Sequence, residues 1–186
     1  MNIRATLPVL SLVTAALLPA MATAQTVSTK PGLWASASTV VLNGKTLPTI
    51  FDIHGIPETK KTQLRSAMAQ AGLPAGWNPS LDCQTATEVD LQQILARMQA
   101  DGCTPRITSN SGGRITGTMD CAADGAQTKG TVEVTGVGSA AVTYLLNMTG
   151  TMNGAPMTYK ATTVSKLIAA DCSHLPPGVD PSMLSR

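Results

Sequence analysis

The fold of this chain is decided by residues 103–172, which read CTPRITSNSGGRITGTMDCAADGAQTKGTVEVTGVGSAAVTYLLNMTGTMNGAPMTYKATTVSKLIAADC. Turn signals that contain glycine or asparagine separate runs in which apolar and polar side chains alternate. Alternation with a period of two residues is typical of half-buried β-strands. The stretch therefore predicts five consecutive strands that form an antiparallel meander.

The first hairpin of this meander aligns two of the four cysteines. A three-residue loop at residues 111–113 places Ile107 opposite Gly117 and keeps the apolar side chains on one face. The same register places Cys103 opposite Cys121, whereas a loop one residue shorter or longer would put them on opposite faces. Because directly opposite residues have β-carbons close enough for a disulfide, we predict a Cys103–Cys121 bond.

The turn residues also predict the register of the three later hairpins. Each predicted register keeps the apolar side chains on one face of the sheet. The predicted turns and pairs are Asp124-Gly125 with Ile115 opposite Val134, a loop centred on Gly138 with Val134 opposite Val142, and Asn153-Gly154 with Met148 opposite Tyr159.

An N-terminal hairpin precedes the meander. Asn43-Gly44 is a strong hairpin signal, and a two-residue loop there would pair Val40 with Leu47 and Trp34 with Ile53.

Residues 57–102 predict a helical insertion after this hairpin. Its first helix, residues 58–71, has only a thin apolar stripe. Thr87-x-x-Asp90 resembles a capping box before the second helix, which Gly102 would end. The second helix has a stronger apolar stripe, which we interpret as packing against the sheet: Leu91, Ile94, Leu95 and Met98.

The two remaining cysteines would bond to each other. Cys83 lies just before the second helix and Cys172 just after the last strand, so their bond would tie the insertion to the end of the meander. An even number of cysteines in an exported chain favours disulfides. No C-x-x-C spacing occurs, which argues against a redox motif or a zinc site.

Residues 1–24 predict a cleavable signal peptide. Arg4 precedes an apolar run too short to span a membrane comfortably, and residues 22–24 form a small-x-small cleavage pattern. We therefore expect an exported protein, periplasmic or secreted, with no membrane span in the mature chain. It would contain one domain over residues 25–172 and a flexible Pro-rich tail at residues 173–186.

The predicted fold class is α+β: a strongly curved, half-barrel-like antiparallel β-meander with the helical insertion and two disulfides. A nearly closed barrel is the alternative architecture. The formal net charge is only +2, and the lysines and arginines are scattered. Because nucleic-acid-binding proteins normally carry a basic patch, we expect no nucleic-acid partner.

A series of short motifs resembles one bacterial family. The motifs are Lys30-Pro31-Gly32-Leu33-Trp34, the Cys83 segment before a helix, Asp101-Gly102-Cys103-Thr104, Met119-Asp120-Cys121 and the closing Asp171-Cys172. Their order is similar to that of the envelope family called "domain of unknown function 3617", over nearly all of the predicted mature chain. Ala35 stands where that family usually has an acidic residue. The resemblance implies export and a disulfide-bearing, β-rich fold, and it implies no activity.

The apolar face of the meander is the predicted ligand site. Methionine adapts to irregular shapes and recurs at permissive binding surfaces, and glycines on this face leave gaps. We expect a lipid or another apolar small molecule to bind there. The alternative is a plain hydrophobic core covered by the two helices. The predicted ligand-binding residues are Met119, Tyr144, Met148, Met152, Met157 and Tyr159.

No pattern in the sequence predicts catalysis, a cofactor or a metal site. The only histidines, His54 and His174, lie at a predicted strand end and in the predicted tail. No G-x-S-x-G, H-E-x-x-H, P-loop or dinucleotide motif occurs. The leading hypothesis is thus a non-enzymatic binding protein. The alternative is a protein-interaction or envelope-stress module that contacts an envelope protein through an outer face including Leu145 and Val164.

Overall fold

The computed structural model describes residues 26–123 and 125–173. The predicted signal peptide and nearly all of the predicted tail lie outside the described residues, as does Asp124 of one predicted turn. In chain order the described elements are β1 (Thr26–Ser28), β2 (Gly32–Leu42), β3 (Lys45–Thr46), a 3-10 helix (Ile50–Asp52), α1 (Glu58–Gln70), β4 (Asn78–Gln84), β5 (Glu88–Asp90), α2 (Leu91–Ala100), β6 (Cys103–Ser111), β7 (Arg114–Ala123), β8 (Ala126–Thr135), β9 (Ala141–Met152) and β10 (Ala155–Ala169).

Eight strands form one antiparallel sheet, and β1 and β5 form a separate two-stranded one. The order of the large sheet is β3-β2-β10-β9-β8-β7-β6, with β4 paired to β2 beside this path. Strands β6 to β10 are the predicted meander, which is confirmed. Within the described residues β3 and β6 stand at the two ends of the path without pairing to each other, so the sheet is not closed.

The first hairpin of the meander has the predicted register at its cysteines, but its loop differs from the predicted one. Ser111 pairs with Arg114, so the loop is only Gly112-Gly113, and the predicted three-residue loop is wrong. Both glycines have positive φ, as a tight two-residue hairpin turn requires. The shorter loop would turn the cysteines to opposite faces, but an irregularity at Thr108 adds one residue to β6 and restores the register.

Both predicted disulfides are present. Cys103 lies opposite Cys121 and is bonded to it, joining β6 to β7. Cys83 of β4 is bonded to Cys172, just after β10. Disulfides form and persist in oxidising compartments, so the pairing indicates that the chain matures in such an environment. No helix among the described residues is long and apolar enough to cross a membrane.

Of the three later hairpins, two have the predicted register. Ile115 pairs with Val134, and Met148 pairs with Tyr159. The third prediction is wrong, because Val134 pairs with Tyr144 instead of Val142. The turn there closes between Gly136 and Ser139, whose backbone N–H donates to the Gly136 carbonyl, so β9 pairs two residues further along. A shift of two residues leaves every side chain on its predicted face.

The N-terminal hairpin is shorter than predicted. Leu47 N–H donates to the Val40 carbonyl at 2.8 Å, as expected, but β3 then ends after two residues. The predicted pairing of Trp34 with Ile53 is wrong, because β4 occupies that side of β2 and places Asp82 opposite Trp34. Strand β4 contains a proline and lies at an edge of the sheet, where the missing N–H is tolerated.

The two helices form where the sequence predicts them. Helix α1 follows Pro57, and α2 ends just before Gly102. The N-cap of α2 is Asp90, whose carboxylate accepts a hydrogen bond from Gln92 N–H at 2.8 Å. Thr87, which the capping-box pattern favours for this role, precedes β5 instead.

The helices lie on opposite faces of the sheet. On the α1 face, Ala35 and Ala37 of β2 pack in a buried cluster with Met68 of α1. On the α2 face, Trp34 and Ser36 of the same strand line a cavity with the residues of α2. The alternative interpretation, one apolar face covered by both helices, is therefore wrong.

Candidate functional site

A cavity of about 480 Å³ lies between α2 and the sheet. This volume falls within the range of about 300–1,000 Å³ that is typical of small-molecule sites. The lining is mainly apolar and comes from both layers, with β1 and the loop after β8 at its margin.

The floor of the cavity is one face of the meander. Cross-strand partners point to the same side of a sheet, so paired residues such as Ile115, Val134 and Tyr144 form continuous rows. The floor residues contributed by β7, β8 and β9 on this face are Ile115, Gly117, Met119, Val132, Val134, Val142 and Tyr144.

Gly117 stands in this floor at a point where the neighbouring strand β6 approaches closely. A β-carbon at this position would lie 2.7 Å from the Arg106 carbonyl oxygen and 3.2 Å from a methyl carbon of Val132. The first distance is too short for a real β-carbon contact, so the strand pair admits only glycine without a local shift. Val132 lies directly opposite and borders the open space.

The roof is the apolar stripe of α2. Leu91, Ile94, Leu95 and Met98 all line the cavity. Only Leu91 among the residues of α2 is buried, and Ile94 remains 40% exposed. An amphipathic helix ordinarily buries its apolar face against its own protein. Here Ile94, Leu95 and Met98 stay partly or largely exposed beside the cavity.

One polar spot interrupts the apolar lining. The hydroxyls of Ser36 and Ser165 lie 2.7 Å apart, on directly opposite positions of β2 and β10. Both residues line the cavity, and Ser165 is only 8% exposed. The pair places hydrogen-bonding capacity inside a largely apolar wall.

Two aromatic side chains border the same space. Trp34 lines the cavity, and its indole N–H donates to the Lys30 carbonyl at 2.9 Å. Tyr144 is 46% exposed, which indicates an opening above β9. Loss of solvation raises the pKa of the Tyr144 phenol above its ordinary value, so this group stays protonated at neutral pH.

The structure brings together only part of the predicted ligand-binding set. Met119 and Tyr144 line the cavity. The cross-strand pairs place the other four on the same face of the sheet, outside the lining, and their role stays a prediction: Met148, Met152, Met157 and Tyr159.

Several lining residues were not foreseen as ligand contacts. The stripe of α2 is visible in the sequence, but its helical spacing by itself predicts packing against the sheet and not a ligand contact. The serine pair carries no sequence signal, because the two residues lie far apart in the chain and meet only through the β2–β10 register.

A second cavity, of about 410 Å³, lies on the α1 face. Its walls include Met68 and Leu81 of the buried cluster, so it is a gap at the margin of a packed core. Lys166 also lines it and donates from Nζ to the Gly72 carbonyl at 2.7 Å. Val164, one of the residues predicted for an outer interaction surface, packs against the same cluster.

The described residues offer little for acid–base or metal chemistry. They contain no group of three or more His, Cys, Asp and Glu side chains that could hold a metal ion. The Asp52 carboxylate, close in sequence to His54, accepts hydrogen bonds from the Thr49 N–H and hydroxyl at 2.7 and 2.9 Å. Asp52 therefore acts as part of a helix cap.

The fold and cavity define a disulfide-linked antiparallel meander with an apolar pocket under one helix. Residues 29–172 match the family described as "Protein of unknown function (DUF3617)". The chain belongs to this family, as its motif series predicts. No curated protein and no solved structure matches the chain.

Proposed function

We propose that this protein is a non-enzymatic binding protein that holds a lipid or another apolar small molecule in the cavity beneath α2. The observation that carries the proposal is the unburied apolar stripe of α2, which faces a mainly apolar cavity. A ligand in this space would remove apolar surface of both layers from water, at roughly 25 cal/mol per Å².

The predicted strong curvature of the sheet belongs to the same proposal. A half-barrel-like meander would wrap β2 and β6 around the ligand from two sides. Export through a signal peptide at residues 1–24, to the periplasm or to the outside of the cell, is also part of it. The two disulfides support this location, because disulfides persist in oxidising compartments.

A cavity-filling substitution tests the proposal. Val132→Phe would place a larger side chain at a position that lines the cavity, and the ring would take up part of its volume. Thr131→Phe is the matched control, since Thr131 is exposed and points to the other side of the same strand. Affinity is measured by displacement of the neutral dye Nile red with dodecanol.

Val132→Phe should weaken dodecanol binding by about tenfold or more, equivalent to about 1.4 kcal/mol. Thr131→Phe should leave the affinity unchanged. Equal affinities for the wild type and Val132→Phe would show that the ligand does not occupy this cavity. No saturable binding to the wild-type protein would overturn the proposed function itself.

A further inference from the structure

We infer that the ligand of this cavity carries a neutral oxygen function, an alcohol, ketone or ester, which hydrogen-bonds to the hydroxyl pair of Ser36 and Ser165. This inference rests on the proposed function and narrows its ligand class. Its basis is the unused hydrogen-bonding capacity of two hydroxyls in a mainly apolar wall.

The serine pair has one donor to spare. Each hydroxyl offers one O–H and two lone pairs, and the bond between Ser36 and Ser165 uses one O–H and one lone pair. Within the described residues neither hydroxyl makes a further hydrogen bond. The second O–H therefore needs an acceptor from outside the protein. A buried hydroxyl without an acceptor is unfavourable, and Ser165 is only 8% exposed.

Packing alone does not explain why serines stand at residues 36 and 165. On the other face of β2, Ala35 and Ala37 occupy neighbouring positions and pack without polar atoms. A small apolar residue is thus compatible with this part of the sheet, so size alone does not require serine at residues 36 and 165. Polar groups placed in an otherwise apolar pocket typically fix the orientation and identity of a ligand.

The charges nearby favour a neutral ligand group over a carboxylate. Lys166 follows Ser165 in the chain, but its ammonium group lies on the α1 face and donates to the Gly72 carbonyl. The charged residues that line the cavity, Lys30, Asp82 and Arg106, are all exposed. Ser165 is only 8% exposed, so an ionised group beside it would lose its hydration, and exposed charges at the wall compensate such a loss only weakly.

Tyr144 supplies a second polar group for the same ligand. It lines the cavity on β9, and its cross-strand partner Thr163 is two residues from Ser165. The phenol is a neutral hydrogen-bond donor and acceptor at the opening of the cavity. An ester or a diol could contact both sites.

A series of ligands with the same chain length tests the inference. Dodecanol, methyl laurate, laurate and dodecane are compared by displacement of Nile red from the full-length, disulfide-bonded protein. The variant is the double substitution Ser36→Ala and Ser165→Ala, which removes both hydroxyls and leaves neither one unpaired. Ser38→Ala is the matched control, because Ser38 lies on the same face of β2 but does not line the cavity.

The wild type should bind dodecanol and methyl laurate about tenfold more tightly than dodecane, the size expected for one hydrogen bond. Laurate should bind more weakly than dodecanol. The double variant should lose the preference for oxygenated ligands while still binding dodecane, and Ser38→Ala should keep the preference.

Equal affinities of dodecanol and dodecane for the wild type would overturn the hydroxyl-pair inference and leave the apolar binding function intact. Tightest binding of laurate, or a preference that survives in the double variant, would also overturn it. Failure of every ligand to displace the dye would overturn the proposed function instead. If the double variant does not fold, the wild-type series alone decides.

Discussion

The helices on the two faces of the sheet differ in the strength of their apolar stripes and in how much of each stripe is buried. The helix with the weaker stripe closes the packed core, which is the reverse of what the two sequences suggest. Helix α1 has a thin apolar stripe, yet it closes a core with Met68 only 4% exposed. Helix α2 has a much stronger stripe, yet Leu91 is its only buried residue. The α1 face buries small β2 residues and the ring of Phe51, whereas the α2 face retains a cavity.

This difference teaches that apolar pattern strength does not by itself locate the packed core. A weak stripe is sufficient where even one long side chain of the helix, Met68, is buried in a cluster with Ala35 and Ala37 of the strand. The stronger stripe of α2 stands over a cavity, and its apolar surface is therefore left largely unburied. The α1 face therefore serves stability, and we expect the α2 face to serve binding.

The largest expected effect on stability comes from removing the disulfides, and it should differ between the two bonds. Cys83–Cys172 spans 89 residues and holds the α1 side, whereas Cys103–Cys121 spans 18 residues beside the end of α2. Replacing the first pair by serine should lower the free energy of unfolding by about 4.6 kcal/mol, and replacing the second by about 3.2 kcal/mol, from loop-closure entropy. Chemical denaturation measures both values. The reverse order would show that native-state effects dominate.

A matched pair of methionine substitutions compares the packing of the two helices. Met68→Ala on α1 should lower the free energy of unfolding by about 2–5 kcal/mol, because a buried side chain is lost. Met98→Ala on α2 should cost less than about 1.5 kcal/mol, since Met98 is only partly buried and borders the cavity.

Urea denaturation gives the stability of both methionine variants, and Nile red displacement gives their ligand affinity. Only Met98→Ala should weaken dodecanol binding. Similar destabilisation by both substitutions would contradict the distinction between a packed face and a binding face.

Two glycine substitutions compare the tolerance for a β-carbon in the cavity floor with the tolerance in a loop that follows α1. Gly117→Ala should destabilise the protein by about 1–3 kcal/mol, because the new β-carbon would crowd the Arg106 carbonyl. Gly76→Ala is the control, since a β-carbon there meets no atom within 4 Å. Thermal unfolding should show a lowered midpoint for the first variant only. An unchanged midpoint for Gly117→Ala would mean that β6 and β7 relax freely at this point.

The smallest effect concerns the 3-10 helix that carries Phe51 into the α1-face core. Hydrogen bonds from Thr49 hold the pKa of Asp52 below its ordinary value of 3.8. A carboxyl whose pKa is lowered by folding stabilises the protein above its unfolded pKa, and this contribution disappears as the pH falls through the folded pKa. Asp52→Asn should therefore lower the unfolding midpoint at neutral pH.

Thermal scans of the wild type and Asp52→Asn at several pH values test this sign. The difference between the two midpoints should shrink as the pH falls below 3.8. A difference that does not change with pH would show that the carboxylate charge is not what the cap uses.

Most of the fold could be predicted from the sequence because turn residues and a period-two pattern act locally. Those two signals predict the meander and the residue pairs of three of its four hairpins, Cys103–Cys121, Ile115–Val134 and Met148–Tyr159. The bulge at Thr108 could not be predicted, since its effect cancels that of the shorter Gly112-Gly113 loop. Strand β4 was also missed, because Pro79 and Trp77 resemble a loop until β2 supplies an edge partner.

The candidate site was less predictable for a physical reason. Alternation shows which residues share a face, but it does not show which part of that face a helix covers. Met119 and Tyr144 were predicted and line the cavity, whereas Met148 lies on the same face outside the lining. The Ser36–Ser165 pair depends on a long-range register that no local pattern specifies.

The position of the bound ligand is the central claim, and the two tryptophans of the chain can report it separately. Trp34 lines the α2-face cavity, whereas Trp77 packs against the core cluster of the α1 face. Bromododecanol quenches tryptophan fluorescence on contact, and it can be titrated into single-tryptophan variants. With Trp77→Phe, the remaining Trp34 should be quenched to saturation. With Trp34→Phe, the remaining Trp77 should keep its fluorescence. Quenching of Trp77, or equal quenching of both, would contradict a binding site beneath α2.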